Sequence, residues 1–262
     1  WLSVPGGTIQ PGEFLKVWFV MFLASRLVRK RKILDELQFY LGFMIIVSII
    51  SLIFFFIPDL GTVLVLLSAA LIMFRYAGGK GYYIIVTLIL WIFASLFAAA
   101  QFDYIGKRFD YFFSPTTDEG DRGIGRQTQQ ALIAVGGGGR IGKGYGKWLQ
   151  KFGYIPEAQS DFVFAAFSEE IWFIGNIILL SLYFLLAFFF LQKLPGIKDP
   201  YDKVLWVGLL SLIIMQMFIN IGVNIKLMPL TWLTLPFVSH GGTALIVNMV
   251  EVVLMYKIIK EK

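Results

Sequence analysis

The sequence predicts an all-α polytopic membrane protein with seven transmembrane helices and one long extracytoplasmic loop. Three observations predict it. Of the 262 residues, 58% are hydrophobic with the 26 glycines left out of the count, and only 15% are charged; soluble domains run at roughly 45–50% apolar with Gly included and about 25% charged. Mean hydropathy is +0.75. Apolar stretches close to the roughly 20 residues that a bilayer requires recur along the whole chain. Lipid offers no partner to backbone amides, so such stretches are helices, which bond internally. A soluble globular domain and a disordered chain are both excluded. The chain has no cysteine, which rules out disulfides and thiolate metal sites, and its one histidine rules out a His-cluster metalloenzyme.

The spans follow in order. The first, Pro11 to Ser25, is short and carries Glu13 and Lys16 near one end. Phe39–Ile57 is uncharged throughout, and Thr62–Phe74 follows after the tight turn Pro58-Asp59-Leu60-Gly61. Tyr82–Ala100 is the fourth span, and the fifth is long, from about Phe162 to Leu191. Val204–Val223 and Thr243–Tyr256 complete the set. Four basic segments fall on one side of this topology: Arg26 to Lys32, Arg75 with Lys80, Lys193 to Lys203, and Lys257 to Lys262. The positive-inside rule makes that side cytoplasmic. Membrane orientation therefore accounts for much of the net charge of +6, which carries no nucleic-acid signal. The loop of residues 102–160 then faces outward; its eight Lys/Arg are tolerated because long loops translocate regardless of charge. The chain opens at Trp1 without Met, basic n-region or signal peptide, and reads there like the middle of a protein, so N-terminal spans are expected to be missing.

Candidate chemistry concentrates at a few places. Charges at membrane depth are costly, about 2.5–3.5 kcal/mol on insertion scales, and so mark function or pairing. Glu13 and Lys16 share a helix face at a spacing of three and can pair. Asp59 suits the cap of the third helix. In the outer loop, Arg126-Gln127 and Gln130 precede a run with seven glycines in residues 136–146, a composition that disfavours helix and strand. Arg140, Lys143, Lys147 and Lys151 lie in and after this run, which suits either a phosphate-bearing partner or lipid headgroups. It is not a Walker loop, because no Ser/Thr follows the Gly-Lys. Asp161 stands at the start of the fifth span, where two readings remain open: a helix cap or a general base with a tuned pKa. Glu169 and Glu170 follow about two turns later and must face protein or a cavity. Ser239 or Thr243 can cap the last helix. His240 reads as an interfacial polar residue.

Taken together, several segments in order resemble the SEDS family, the FtsW/RodA/SpoVE polymerases of bacterial peptidoglycan. They are Ile9-Gln10-Pro11-Gly12-Glu13 with Lys16, Pro58-Asp59-Leu60-Gly61-Thr62, Arg126-Gln127 with Gln130, the Gly-rich run to Gly146, Tyr154-Ile155-Pro156-Glu157, Ser160-Asp161-Phe162, Glu169-Glu170, Asn220-Ile221-Gly222, and Pro236 to Thr243. The resemblance implies a ten-helix fold, of which residues 1–262 would be a single, N-terminally truncated SEDS membrane domain. It implies a peptidoglycan glycosyltransferase that polymerises lipid II at the outer face of the bacterial cytoplasmic membrane, with undecaprenyl pyrophosphate leaving. Asp161 matches the family's essential aspartate. Glu13, Lys16, Arg126, Gln127, Gln130, Arg140, Lys143 and Ser239 become expected substrate-binding residues. Expected partners are lipid II, the growing glycan strand, a class B penicillin-binding protein and other division or elongation proteins. No resident metal site is expected, although Mg or Mn could share the charge work at the pyrophosphate. The rival readings are a lipid II flippase and a non-catalytic scaffold for the transpeptidase. Gly12, Trp172, Lys226, Trp232 and His240 depart from the family pattern, which usually has Ser at the first, Gly at the next three and Tyr at the last. Lys151 to Glu157 and Asn220 to Asn224 lean toward the FtsW branch.

Overall fold

The computed structural model describes residues 2–4, 7–57, 59–113, 124–137 and 160–260. They form a short hairpin, β1 (Leu2–Val4) with β2 (Gly7–Ile9), and nine helices: α1 (Pro11–Arg29), α2 (Leu37–Phe56), α3 (Leu60–Ala77), α4 (Gly81–Gln101), α5 (Asp103–Phe113), α6 (Ile124–Gly137), α7 (Val163–Lys193), α8 (Pro200–Asn224) and α9 (Gly242–Lys260). The hairpin strands pair antiparallel, Leu2 opposite Ile9 and Val4 opposite Gly7. Among the described residues, six helical segments are long and apolar enough to span a bilayer: α2, α3, α4, residues 174–196, α8 and α9. The expected first span forms the 19-residue helix α1, but its charged residues, Glu13, Lys16, Arg26 and Arg29, keep it outside that apolar class.

One expectation is corrected. The segment 102–160 is not a plain loop, because α5 and α6 lie within it and α6 extends through Gly136 and Gly137. The fifth span, expected from about Phe162, is the long helix α7, which starts at Val163. At 1.5 Å per residue the 31 residues of α7 reach about 46 Å, well beyond the roughly 30 Å hydrocarbon core. Glu169 and Glu170 lie about two turns into this helix.

The chain divides into two compact units. The first comprises residues 1–89, 185–216 and 241–262. Its centre is α3, which carries buried residues all round, against a single stripe on α2. α1 packs on α3 and α9 through Val17, Val20, Leu23, Ala24 and Leu27, a helical spacing, while Trp18 on the opposite face is exposed. Gly208 lets helices approach closely: a Cβ there would fall 2.4 Å from Val20 Cγ1 and 2.7 Å from Met73 Sδ. Trp206, fully buried, donates from Nε1 to the Phe190 carbonyl at 3.2 Å. α3 stops in a Schellman turn, with Gly78 at φ 115° and the amides of Gly78 and Gly79 returning to the carbonyls of Arg75 and Phe74.

The second unit comprises residues 90–184 and 217–240. α5 packs on α6, and the stretch after α8 is pinned from within the unit. Arg108, buried on α5, donates to the Leu230 carbonyl at 2.8 Å and to the Tyr104 hydroxyl, with its guanidinium 4.4 Å from the Tyr104 ring centre and 4.7 Å from that of Trp232. The Tyr183 hydroxyl donates to the Pro236 carbonyl.

Candidate functional site

Within the first unit, polar groups gather at the start of α1. Pro11 occupies the first helical position, where its missing N–H costs nothing. The Gln10 amide donates to Thr243 Oγ1 at 3.3 Å, which ties the entry of α1 to the start of α9. One turn on, Lys16 Nζ lies 2.8 Å from Glu13 Oε2 and donates to Gln216 Oε1 on α8, also at 2.8 Å. Lys16 is 0% exposed and Glu13 3%. The Lys16–Glu13 contact is close in distance, yet Glu13 Oε2 has no well-angled hydrogen bond, so the contact is an ion pair rather than a directed bond. A desolvated pair is far harder to break than a surface one. The sequence places Glu13 and Lys16 on one face, and the structure brings them together.

Two further groups on α9 join this region without having been singled out from sequence. Glu251, 1% exposed, feels the charges of both Lys16 and Glu13, and its Oε2 has no hydrogen-bond partner among the described residues. Asn248, one turn before it, is also buried with Oδ1 unpartnered. The signal for Glu251 was present: it is a charge in the middle of the last span, subject to the same membrane-depth rule that marks Glu13 and Lys16.

Asp59, in the turn before α3, is a helix cap as expected. Its Oδ1 accepts from the Thr62 amide at 3.0 Å and its Oδ2 from the Thr62 hydroxyl at 2.7 Å. Burial pushes the Asp59 carboxyl above its ordinary value; the Thr62 hydrogen bonds and the Lys16 charge oppose the rise. Gly12 is filled from outside, since a Cβ there would meet Phe54 Cε1 at 2.9 Å. The serine usual at this position in the family pattern would require the Phe54 ring to shift.

In the second unit, Asp161 lies half-buried in the turn just before α7. Its carbonyl accepts from Asn220 Nδ2 at 2.9 Å and Asn224 Nδ2 at 3.1 Å, both from the end of α8. Asn224 Oδ1 takes the Ala165 amide at 3.1 Å, the third-residue donor that an N-cap side chain ordinarily satisfies. Asn220 Nδ2 also reaches the Leu233 carbonyl at 2.6 Å. Ser239 accepts from the Leu235 amide at 2.7 Å and donates to the Ser160 carbonyl, the residue before Asp161. The main chain around Asp161 is thus held at two successive carbonyls by side chains from α8 and from the 225–241 stretch. Ser239 fixes this turn rather than capping α9. Asn220 and Asn224 were visible in sequence only as a motif; their role needs the contact between α8 and the start of α7.

Gln127 and Gln130 are half-buried and share a face of α6 at a spacing of three. Arg126 belongs to α6, with its side chain outside the described residues, as are Arg140 and Lys143 altogether. Glu169 is buried, Glu170 half-buried, and His240 exposed. Trp232 rests on Arg108, which gives that departure from the family pattern a packing role. Lys226 sits at φ 56° in a Schellman turn that ends α8, with the Lys226 and Leu227 amides returning to the Val223 and Gly222 carbonyls. The family pattern places Gly there for the same reason that α3 ends on Gly78. Among the described residues no group of three or more His, Asp or Glu side chains is placed to hold a metal ion.

The fold and these sites define a multi-pass helical membrane protein with a buried ion pair in one unit and a braced acidic turn in the other. The family model of FtsW, RodA and SpoVE, described as a cell cycle protein, matches residues 1–262, and the chain belongs to that family. It is 38% identical over 257 residues to the stage V sporulation protein E of Bacillus subtilis, covering 96% of this chain and 69% of that protein. It is 32% identical over 256 residues to a probable peptidoglycan glycosyltransferase FtsW of Geobacter metallireducens, covering 96% and 67%. The chain thus spans about two thirds of these relatives. Among solved structures, one described as a peptidoglycan synthase complex coordinating polymerization and crosslinking superposes with a TM-score of 0.82 at 24% identity, covering 100% of this chain and 73% of that one. The rod shape determining protein RodA of Thermus thermophilus superposes at 0.65 with 23% identity, covering 97% and 67%. These two likenesses establish the shared fold.

Proposed function

We propose that the chain carries the catalytic part of a peptidoglycan glycosyltransferase that joins lipid II units into glycan strands at the outer face of the bacterial cytoplasmic membrane. Family membership supports the reading, as does the name of the Geobacter relative. The observation that carries it is the bracing of Asp161: a half-buried carboxylate whose main chain is fixed by Asn220, Asn224 and Ser239. A general base contributes only when it is held within hydrogen-bond reach of the proton that it takes, and a fixed backbone favours that condition. In the proposed step Asp161 takes the proton of the acceptor's GlcNAc 4-hydroxyl as that oxygen bonds to the donor's anomeric carbon. The bond from that carbon to undecaprenyl pyrophosphate breaks, and the pyrophosphate leaves with the electron pair. Arg126, Arg140 and Lys143 are the groups we assign to its negative charge, and Gln127 and Gln130 to the sugar. Glu13 and Lys16 are assigned a supporting role, since both are buried and paired within the α1 cluster. Mg or Mn could share the charge work at the pyrophosphate.

A class B penicillin-binding protein is the proposed partner, since the resemblance implies it and a structural neighbour is described as a complex that also crosslinks. We assign the chain to the FtsW/SpoVE side of the family, on its 38% and 32% identities to proteins of those names. The decisive experiment is polymerisation of labelled lipid II by the complete protein with its partner, for the parent, Asp161→Asn and Asp161→Ala. Polymer from the parent and a loss of roughly 10²–10⁴ in both variants, with partner binding intact, is the expected outcome. A loss of only about tenfold would move the base elsewhere.

A further inference from the structure

Two of the basic segments that the sequence places on one side meet at a cavity within the first unit. The cavity measures about 270 Å³ and lies where the C-terminal ends of α1 and α3 meet the N-terminal end of α8. Arg31, just past α1, and Lys203, in the first turn of α8, line it together with Tyr76 near the end of α3; Val28, Ala77 and Val204 give it an apolar wall. Neither the Arg31 nor the Lys203 side chain has an ion-pair or hydrogen-bond partner among the described residues. No carboxylate lines the cavity. Asp199, which precedes α8, is engaged by the Tyr201 and Asp202 amides at 2.6 and 3.1 Å. The positive end of the α8 dipole faces the same place.

We propose that this cavity is a binding site for the phosphate headgroup of an anionic phospholipid in the leaflet that faces the basic loops. Two cations with no ion-pair partner among the described residues leave an anion as the fitting occupant. Tyr76 adds a hydroxyl donor, and Arg31 can bond two phosphate oxygens at once. The cavity sits at the ends of three helices, the depth at which headgroups lie. Its apolar wall suits the glycerol and the first acyl carbons, which favours a lipid over free phosphate. Two unmatched positive charges favour an anionic headgroup such as phosphatidylglycerol over zwitterionic phosphatidylcholine. This site is separate from the glycosyl-transfer reading and does not depend on it.

The test is native mass spectrometry of the complete protein released from nanodiscs of phosphatidylglycerol and phosphatidylcholine, with an affinity titration of phosphatidylglycerol in detergent. Salt at about 0.5 M screens diffuse attraction to the other basic residues. The parent is expected to retain phosphatidylglycerol selectively. Arg31→Gln with Lys203→Gln should weaken the affinity by about 100-fold, roughly tenfold for each charge-assisted bond lost. The charge-conserving pair Arg31→Lys with Lys203→Arg should keep most of it, which separates loss of charge from loss of fold. Lys32→Gln with Lys198→Gln removes the same charge from the same end away from the cavity and should weaken binding by less than tenfold. Equal losses in the two Gln pairs would overturn the site in favour of general surface attraction. Retention of phosphatidylcholine to the same extent, or full displacement by millimolar inorganic phosphate, would overturn the anionic-lipid assignment.

Discussion

The side-chain amide of Asn224 donates to the carbonyl of Asp161 at 3.1 Å while its oxygen accepts the Ala165 amide. One residue at the end of α8 therefore does two tasks. It caps α7 across the fold, and it fixes the main chain of the residue we assign as base.

Two substitutions test those tasks. Asn224→Ala removes both bonds and leaves a buried amide unpaired, at a cost of about 1–3 kcal/mol. Asn224→Asp keeps an acceptor for Ala165 but removes the donor to Asp161. Asn224 is fully buried, and its Nδ2 also donates to the Asn220 carbonyl at 2.9 Å. The aspartate variant therefore sets a desolvated carboxylate against two carbonyls and is expected to melt no higher than the alanine variant, while both lose polymerase activity. Thermal melts in detergent and the lipid II assay measure the two effects. Parent-like activity in Asn224→Asp would show that the bond to the Asp161 carbonyl does not matter for turnover.

The buried pair on α1 predicts a coupling that reaches α9. Lys16→Met leaves Glu13 and Glu251 without their common cation, and breaking a buried pair costs about 3–5 kcal/mol. Adding Glu251→Gln should recover part of that loss, a coupling of roughly 0.5–3 kcal/mol in a double-mutant cycle. Denaturation of the three variants and the parent tests it. Additivity would remove Glu251 from the cluster.

Lys226 occupies a left-handed position, φ 56°, in the Schellman turn that ends α8. A Cβ in that region costs roughly 1–2 kcal/mol, and glycine avoids it. Lys226→Gly is expected to raise the melting temperature, while Lys226→Ala, which keeps the Cβ, should not. A gain of equal size in both would locate the effect in the lysine charge instead.

Asp59 predicts a pH dependence. Its carboxyl is raised in the folded state, chiefly by burial, above the ordinary value of 3.8. A group raised on folding contributes stability that is fully present below its unfolded pKa and is lost as pH rises through the folded pKa. Across the window from 3.8 up to the raised value, the parent should therefore gain stability on acidification relative to Asp59→Asn. Melting curves of the two proteins against pH give the sign, and a difference that grows in the parent's favour with rising pH would contradict it.

Much of the fold is legible in the order of the residues, because lipid imposes a simple demand. A backbone that cannot bond to water must be helical, so the six spanning segments lie where apolar runs of the right length occur, from α2 to α9. The turn at Asp59 is legible for a similarly local reason, as its partner Thr62 is three residues away. The Glu13–Lys16 pair follows from helix periodicity alone. Charge placement puts the ends of α1 and α3 and the start of α8 on one side of the membrane. That they meet at the cavity lined by Arg31, Tyr76 and Lys203 is decided by packing.

Only the tertiary structure decides the rest. The helices α5 and α6 carry no membrane-length apolar run, and the signal that could have marked α5 was the helical spacing of Ile105, Phe109 and Phe112. Glu251 acquires its neighbours from a helix 235 residues earlier in the chain, counted from Lys16. Arg108 is buried because Tyr104 and Trp232 enclose it, and Trp232 lies on a different element. Asn220 and Asn224 become supports of Asp161 only because the end of α8 meets the start of α7. Local sequence sets backbone conformation and which face is apolar. Burial of a charge, and the choice of its partner, depend on contacts between segments far apart in the chain, and those are fixed when the helices pack.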